Sequence, residues 1–227
     1  MTALRLDKLS LTNFRCFAHC EVAFHDRLTV LVAENGSGKT AVLDAAAAAL
    51  SVFVNTLDPP EKVRRIERSD VRLVLDQERR MSPCLPTEYE AQAIVQDAAV
   101  TWKSAVRTYG DKVRPSTRHF GSMKAAAQPF LSDSALLPLI AYYGTGRLWS
   151  EQRQTEYRRS SITNVGERVA GYADSLTSSS SFKGISAWFE HRFRQTASPS
   201  FRESLQANLA MIEGVKGLGM ETCMTLG

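Results

Sequence analysis

No apolar run in this chain approaches the roughly 18 to 20 uninterrupted residues that a helix needs to cross a bilayer. Residues 1–8 pass directly into an alternating pattern and lack the apolar core of a secretory signal peptide, so the cytoplasm is the expected location. Cysteine is sparse. The four, at 16, 20, 84 and 223, have no disulfide-scaffold spacing for a chain of 227 residues and are expected as free thiols. Cys16, His19, Cys20 and His25 straddle two expected strands rather than forming a tight knuckle, which favours packing and surface roles over zinc. Charge of one sign is also scarce: the formal excess is +4, enough for a basic patch and too little to announce a nucleic-acid binder. Apolar content of 44% against 23% charged residues excludes disorder of the whole chain and allows a sizeable core.

What stands out against this ordinary background is residues 28–40. Leu28, Val30, Leu31 and Val32 lead into Ala33-Glu34-Asn35-Gly36-Ser37-Gly38-Lys39-Thr40, a phosphate-binding loop laid out as strand, glycine-bearing turn and helix. Gly36 and Gly38 let backbone N–H groups close around phosphates, Lys39 reaches the β and γ oxygens, and the Thr40 hydroxyl can ligate Mg²⁺. The helix from Ala41 to about Phe53 aims its N-terminus at the anion. Alanine replaces the usual first glycine at position 33, which is tolerable if its φ stays negative.

Around the loop, residues 3–12 alternate Leu4, Leu6, Leu9 and Leu11 with polar positions, slipping once at Asp7-Lys8, and read as a strand. A turn through residues 13–17 precedes a second short strand at 20–24, and residues 28–32 read as the buried strand feeding the loop. Asp58-Pro59-Pro60 closes the alanine-rich helix. Residues 89–96 and 99–107 look like antiparallel strands turning near Gln96-Asp97, with Trp102 in the core. A helix over 116–130, capped by Ser116 or Thr117, and an apolar strand over 136–143 follow. After Trp149 the chain turns polar, then two amphipathic helices are expected near 182–194 and 199–212, and the tail from 214 reads as frayed or truncated.

The segment Leu9-Ser10-Leu11-Thr12-Asn13-Phe14-Arg15-Cys16-Phe17, taken with the loop, resembles the N-terminal lobe of ABC-type ATPase heads of the SMC, Rad50 and RecF group. There a hairpin with an NFR.F turn precedes a loop reading ENG.GKT/S. Residues 137–149, 171–176, 180–183 and Trp188-Phe189 are similar to bacterial RecF-like AAA family ATPases, defence-system members such as the Septu ATPase included. The resemblance covers most of residues 3–190. It implies an α/β fold: a P-loop NTPase N-terminal lobe with a mixed β-sheet, an antiparallel β subdomain and flanking helices, spanning 1–150. A helical extension or insertion would occupy 151–213 and the tail 214–227.

The resemblance also implies that Glu34, Asn35, Gly36, Ser37, Gly38, Lys39, Thr40 and Ala41 hold ATP, with Thr40 on Mg²⁺ and Arg15 beside the nucleotide at phosphate or ribose. The alternative for Arg15 is a surface ion pair in a turn, while Asn13 is expected to organise its own turn by a side-chain bond to backbone. The strand at 136–143 would sit where these heads place the Q-loop strand, although no glutamine follows it. Implied partners are a second head in an ATP-dependent homodimer or a complementary C-terminal lobe, together with DNA or a companion nuclease, in DNA repair or phage defence.

Hydrolysis needs groups that hold Mg²⁺ from the far side and orient water. Two stretches imitate them. Residues 73–78, Leu-Val-Leu-Asp-Gln-Glu, have the form of a Walker B strand and would suit a self-contained AAA+ or RecA-like ATPase using Asp76, against a charged surface segment. Residues 164–168, Asn-Val-Gly-Glu-Arg, echo an SGGER signature without its first glycine. The simpler expectation is half a head that binds ATP without efficient turnover, or a non-catalytic interaction module. The arginines at 64, 65, 68 and 72 and at 147, 153, 158 and 159 are read as solvated faces, with DNA binding as the competing reading.

Overall fold

The alternation of residues 4–14 builds β1, Leu4–Phe14, which folds back on β2, Phe17–Ala23, through a turn at Arg15 and Cys16. The slip at Asp7-Lys8 is a β-bulge against β5, Thr87–Val95, between Leu6 and Lys8. The computed structural model describes residues 4–57, 64–132 and 135–144, with Val169, Tyr172, Ser175 and Leu176 beyond them. Short strands β3, Leu73–Leu75, and β4, Met81–Pro83, form a separate hairpin. With β6, Ala98–Val106, and β7, Ser116–Arg118, the main sheet has the order β2-β1-β5-β6-β7. Its ladders are antiparallel throughout. The β5–β6 hairpin turns at Gln96 and Asp97, both at positive φ (47° and 68°), the left-handed pair that a two-residue hairpin turn requires.

Helix α1, Lys39–Thr56, packs on one face of this sheet. Ala45, Ala48 and Ala49 on the helix and Ala91 and Ala93 on β5 are buried in the shared core, and their small side chains allow backbone to approach backbone. The approach is close enough for the Tyr89 hydroxyl, buried on β5, to donate to the Ala48 carbonyl at 3.0 Å. Leu9, Leu11, Phe14, Phe53 and Trp102 complete the same core, each fully buried. Each such side chain contributes on the order of 1.5 to 3 kcal/mol by leaving water. Helix α2, Phe120–Ala127, and the 3₁₀ turn Gln128–Leu131 close the end of the core, where Phe130 meets Phe53 edge to face at 5.4 Å. Tyr172 and Leu176 are buried in this core as well.

Four expectations change. Residues 28–32 form no strand: Leu28, Val30 and Val32 are exposed, Val32 by 89%, and only Leu31 packs against the core. Residues 136–143 likewise join no ladder, and Leu136 and Leu139 are exposed by 90% and 98%. The physical cause is shared, since an apolar run becomes a buried strand only beside neighbouring strands, and among the described residues neither run has one.

The helix expected over 116–130 begins later, because β7 takes its start. Ser116 and Thr117 pair with Ala105 and Ser104, and their hydroxyls bond to β6 rather than cap a helix. Asn13 does not close its own turn: it lies at φ 50° and its amide donates to the Pro86 carbonyl at 3.1 Å. The helices at 182–194 and 199–212, the segment 164–168, the arginines from 147 onward, the tail from 214 and Asp58-Pro59-Pro60 lie outside the described residues.

Candidate nucleotide-binding site

The loop between residue 33 and α1 turns on two left-handed glycines, Gly36 at φ 84° and Gly38 at φ 90°. They are constrained differently. Around Gly36 a Cβ would meet nothing within 4 Å, so its conformation alone calls for glycine, whereas at Gly38 a Cβ would lie 2.5 Å from both Cys16 Sγ and the Phe17 ring. The turn between β1 and β2 is thus packed directly against the second glycine. Ala33 is absent from the positive-φ positions, which is the condition under which alanine can stand there.

Gly38 serves as the N-cap of α1 without any side-chain cap, and the Val42 N–H closes the first helical bond onto its carbonyl at 3.1 Å. The N–H groups of the first turn are the ones a helix leaves for an external acceptor. Lys39 folds its ammonium back over the loop and donates to the carbonyls of Ala33 at 2.6 Å and Glu34 at 2.7 Å. Residues 33–37 and Thr40 are exposed. A cationic side chain, two positive-φ glycines and an uncapped helix start therefore meet in one open loop, and the residues present fit a nucleotide phosphate chain with Mg²⁺. Thr40 would hold the metal.

Behind the loop lies a network that sequence reasoning did not foresee. Asp44, one turn after Thr40 on α1, is buried among alanines, and Asp70, in the 3₁₀ turn Arg68–Asp70, is completely buried. Arg15 bridges them, bonding Asp44 and meeting Asp70 Oδ1 through Nη2 at 2.7 Å and Nε at 2.8 Å. Arg64 bridges them a second time, 3.2 Å from Asp44 Oδ1 and 3.3 Å from Asp70 Oδ1. The Tyr142 hydroxyl adds a bond to Asp44 Oδ1 at 2.5 Å, and the Glu67 N–H one to Asp70 Oδ2 at 3.0 Å. Two carboxylates thus face two guanidiniums. This pairing answers the desolvation that would otherwise make either buried acid costly. Burial, then the bond to Asp44, pushes the Tyr142 phenol up to about 12. The available signal was a single carboxylate in an apolar helix stripe, since Asp44 falls between Ala41, Ala45 and Ala48.

The first arginine cluster does not form one face. Arg64 enters the network, Arg68 stacks over Tyr109 at 4.9 Å from the ring centroid, and Arg72 lies against Cys84. Asp76 is no Walker B carboxylate in this arrangement. β3 pairs only with β4 and exposes Leu73 and Leu75, while the Asp76 carboxylate organises the hairpin turn. It accepts from the Arg80 N–H at 2.8 Å, the Ser82 hydroxyl at 2.9 Å and the Glu78 N–H at 2.9 Å, bonds that hold its pKa below the usual carboxylate value. No group of three or more His, Cys, Asp or Glu side chains among the described residues could hold a metal ion. No helix among them is long and apolar enough to cross a membrane.

Residues 8–187 match the family model described as AAA domain. The chain belongs to the AAA domain family. Its relatives include the DNA double-strand break repair Rad50 ATPase of Saccharolobus solfataricus, 42% identical over 41 residues, which are 18% of this chain and 5% of that protein. The DNA replication and repair protein RecF of Oceanobacillus iheyensis is 40% identical over 42 residues, 18% of this chain and 11% of its own. The matched segments are thus a small part of those relatives' lengths. The α/β architecture, with its antiparallel sheet and flanking helices, fits a P-loop NTPase N-terminal lobe, and the chain is similar there to ATPases of the SMC/Rad50/RecF kind.

Proposed function

We propose that the chain binds ATP·Mg²⁺ through residues 34–41 and works as the N-terminal half of an SMC/RecF-like ABC ATPase. The observation that carries this is the loop itself, in which Gly36 and Gly38 adopt left-handed backbone and Lys39 lies across it. Lys39 would leave the Ala33 and Glu34 carbonyls to neutralise the β and γ phosphates, backbone N–H groups of 35–40 would cradle them, and Thr40 would hold the metal. Arg15, engaged by Asp44 and Asp70 one residue before the Cys16–Phe17 contact with Gly38, would fix the loop's position from behind.

Hydrolysis then requires groups from elsewhere, a signature segment and a Walker B pair, supplied by a complementary C-terminal lobe or a second head. The exposed apolar side chains of Leu28, Val30, Val32, Leu136 and Leu139 favour such completion, because runs of this composition are stable beside further strands. DNA is the partner we assign, in repair, on the names of its relatives; a companion nuclease and a phage-defence role rest on the resemblance of residues 137–149 and 171–176 to RecF-like AAA family ATPases.

The test is phosphate release measured for the chain alone and with a C-terminal lobe of the same kind added. ATP binding with turnover only in the mixture is expected. Steady turnover by the isolated chain, lost on Asp76→Asn, would instead favour a self-contained enzyme.

A further inference from the structure

At the opposite end of α1 from the phosphate loop there is a second pocket, of about 350 Å³. Ser51, Val52 and Asn55 from the helix line it, with Tyr89 and Ser104 from β5 and β6 on its floor. Arg65, Pro115, Thr117 and Phe120 form its remaining walls. Ser51 lies twelve residues beyond Lys39 on the same helix, about 18 Å along its axis at 1.5 Å per residue, so the two sites are separate.

The lining has one cation and no carboxylate. Arg65 is exposed between the partly buried Arg64 and the buried Ile66, and it makes no ion pair among the described residues. The hydroxyl floor is fixed and buried. Ser51 and Tyr89 donate to the Ala48 carbonyl, and Ser104, between Tyr89 and Thr117, accepts from Thr117 at 3.5 Å. Val52, Pro115 and Phe120 add an apolar wall. A guanidinium at the mouth, hydroxyls and an amide within, and one apolar side describe a site for a small organic anion.

We propose that this pocket binds a small molecule carrying a phosphate or carboxylate on an apolar body, with the anion on Arg65 and the body against Phe120. The site is independent of the nucleotide loop and stands whether or not the loop binds ATP.

The probes are phenyl phosphate, benzoate and inorganic phosphate, titrated by calorimetry and by amide chemical shift into the full chain carrying Lys39→Ala, so that the loop does not compete. Phenyl phosphate or benzoate should bind saturably and shift amides of residues 51–55 and 115–120; whichever binds more tightly identifies the anion. Inorganic phosphate, lacking the body, should bind more weakly. Adding Arg65→Ala should weaken the tighter probe by on the order of tenfold. Thr117→Trp, at an exposed wall position, should block it. Shifts confined to residues 33–41, affinity unmoved by both variants, or no saturable binding of either organic probe would overturn the proposal.

Discussion

Gly38 and Cys16 are in contact: a methyl group on the glycine would stand 2.5 Å from the cysteine sulfur, so the second glycine of the phosphate loop is locked onto the turn of the first hairpin. Gly36, two residues earlier, has the same left-handed backbone and open space around it. The pair therefore separates conformational strain from steric overlap. Gly36→Ala should cost about 1 kcal/mol of stability, the left-handed penalty alone. Gly38→Ala should cost about 2 to 4 kcal/mol, because overlap with Cys16 and Phe17 adds to it. Urea unfolding of the two variants measures the difference; equal costs would contradict the packing of the hairpin turn against the loop.

Arg15 ties the hairpin turn to α1 through Asp44 and to the 3₁₀ turn through Asp70. Arg15→Met should destabilise the chain by about 3 kcal/mol or more, since both buried carboxylates lose a partner. Arg15→Met combined with Asp70→Asn should cost less than the sum of the single changes, because the two residues share one network. A double-mutant cycle by chemical denaturation gives the coupling, and strict additivity would mean that the pair carries no energy.

Tyr142 donates its phenolic proton to Asp44, and its pKa is pushed up to about 12. An unfolded tyrosine titrates near pH 10. The unfolded chain therefore loses this proton first, and the stabilisation, complete below about pH 10, is lost as pH rises through about 12. Tyr142→Phe should lower stability by about 1.5 to 3 kcal/mol at neutral pH, the range for a hydrogen bond to a charged group. It should also remove this tyrosine's share of the alkaline decline. Denaturation followed from pH 7 to 12 in both proteins tests the sign.

Asp76 belongs to a hairpin turn, where three donors occupy its carboxylate. Asp76→Asn should weaken that turn while leaving ATP affinity unchanged in an equilibrium binding assay. A fall in Mg²⁺-dependent affinity would return Asp76 to the metal site.

Local chemistry was readable where the chain decides its own conformation. The slip at Asp7-Lys8 announced the bulge, Gln96-Asp97 announced the β5–β6 turn, and Trp102, a large aromatic in an expected strand, is in the core as expected. Sequence failed where the outcome depends on a neighbour. Residues 28–32 and 136–143 have the composition of buried strands, but composition does not reveal whether strands stand beside them. Ser116 and Thr117 are good helix caps that found a strand edge first. Arg64, Asp44, Asp70 and Tyr142 are dispersed over almost a hundred positions, so only the folded chain brings them together. For the loop, residue spacing was enough to place a glycine-bearing turn ahead of a helix, as the positive-φ Gly36 and Gly38 before α1 have it. The role of the hairpin turn behind Gly38 emerged from geometry alone.

The central claim is that Lys39 neutralises the phosphates of a bound nucleotide. Equilibrium binding of labelled ATP to the full chain, with and without Mg²⁺ and with Lys39→Ala, tests it most directly. The expected result is Mg²⁺-dependent affinity in the native sequence and its loss in the variant, with the variant's unfolding curve little changed because Lys39 bonds only to exposed loop carbonyls. ATP binding of equal strength in the Lys39→Ala protein would contradict the account.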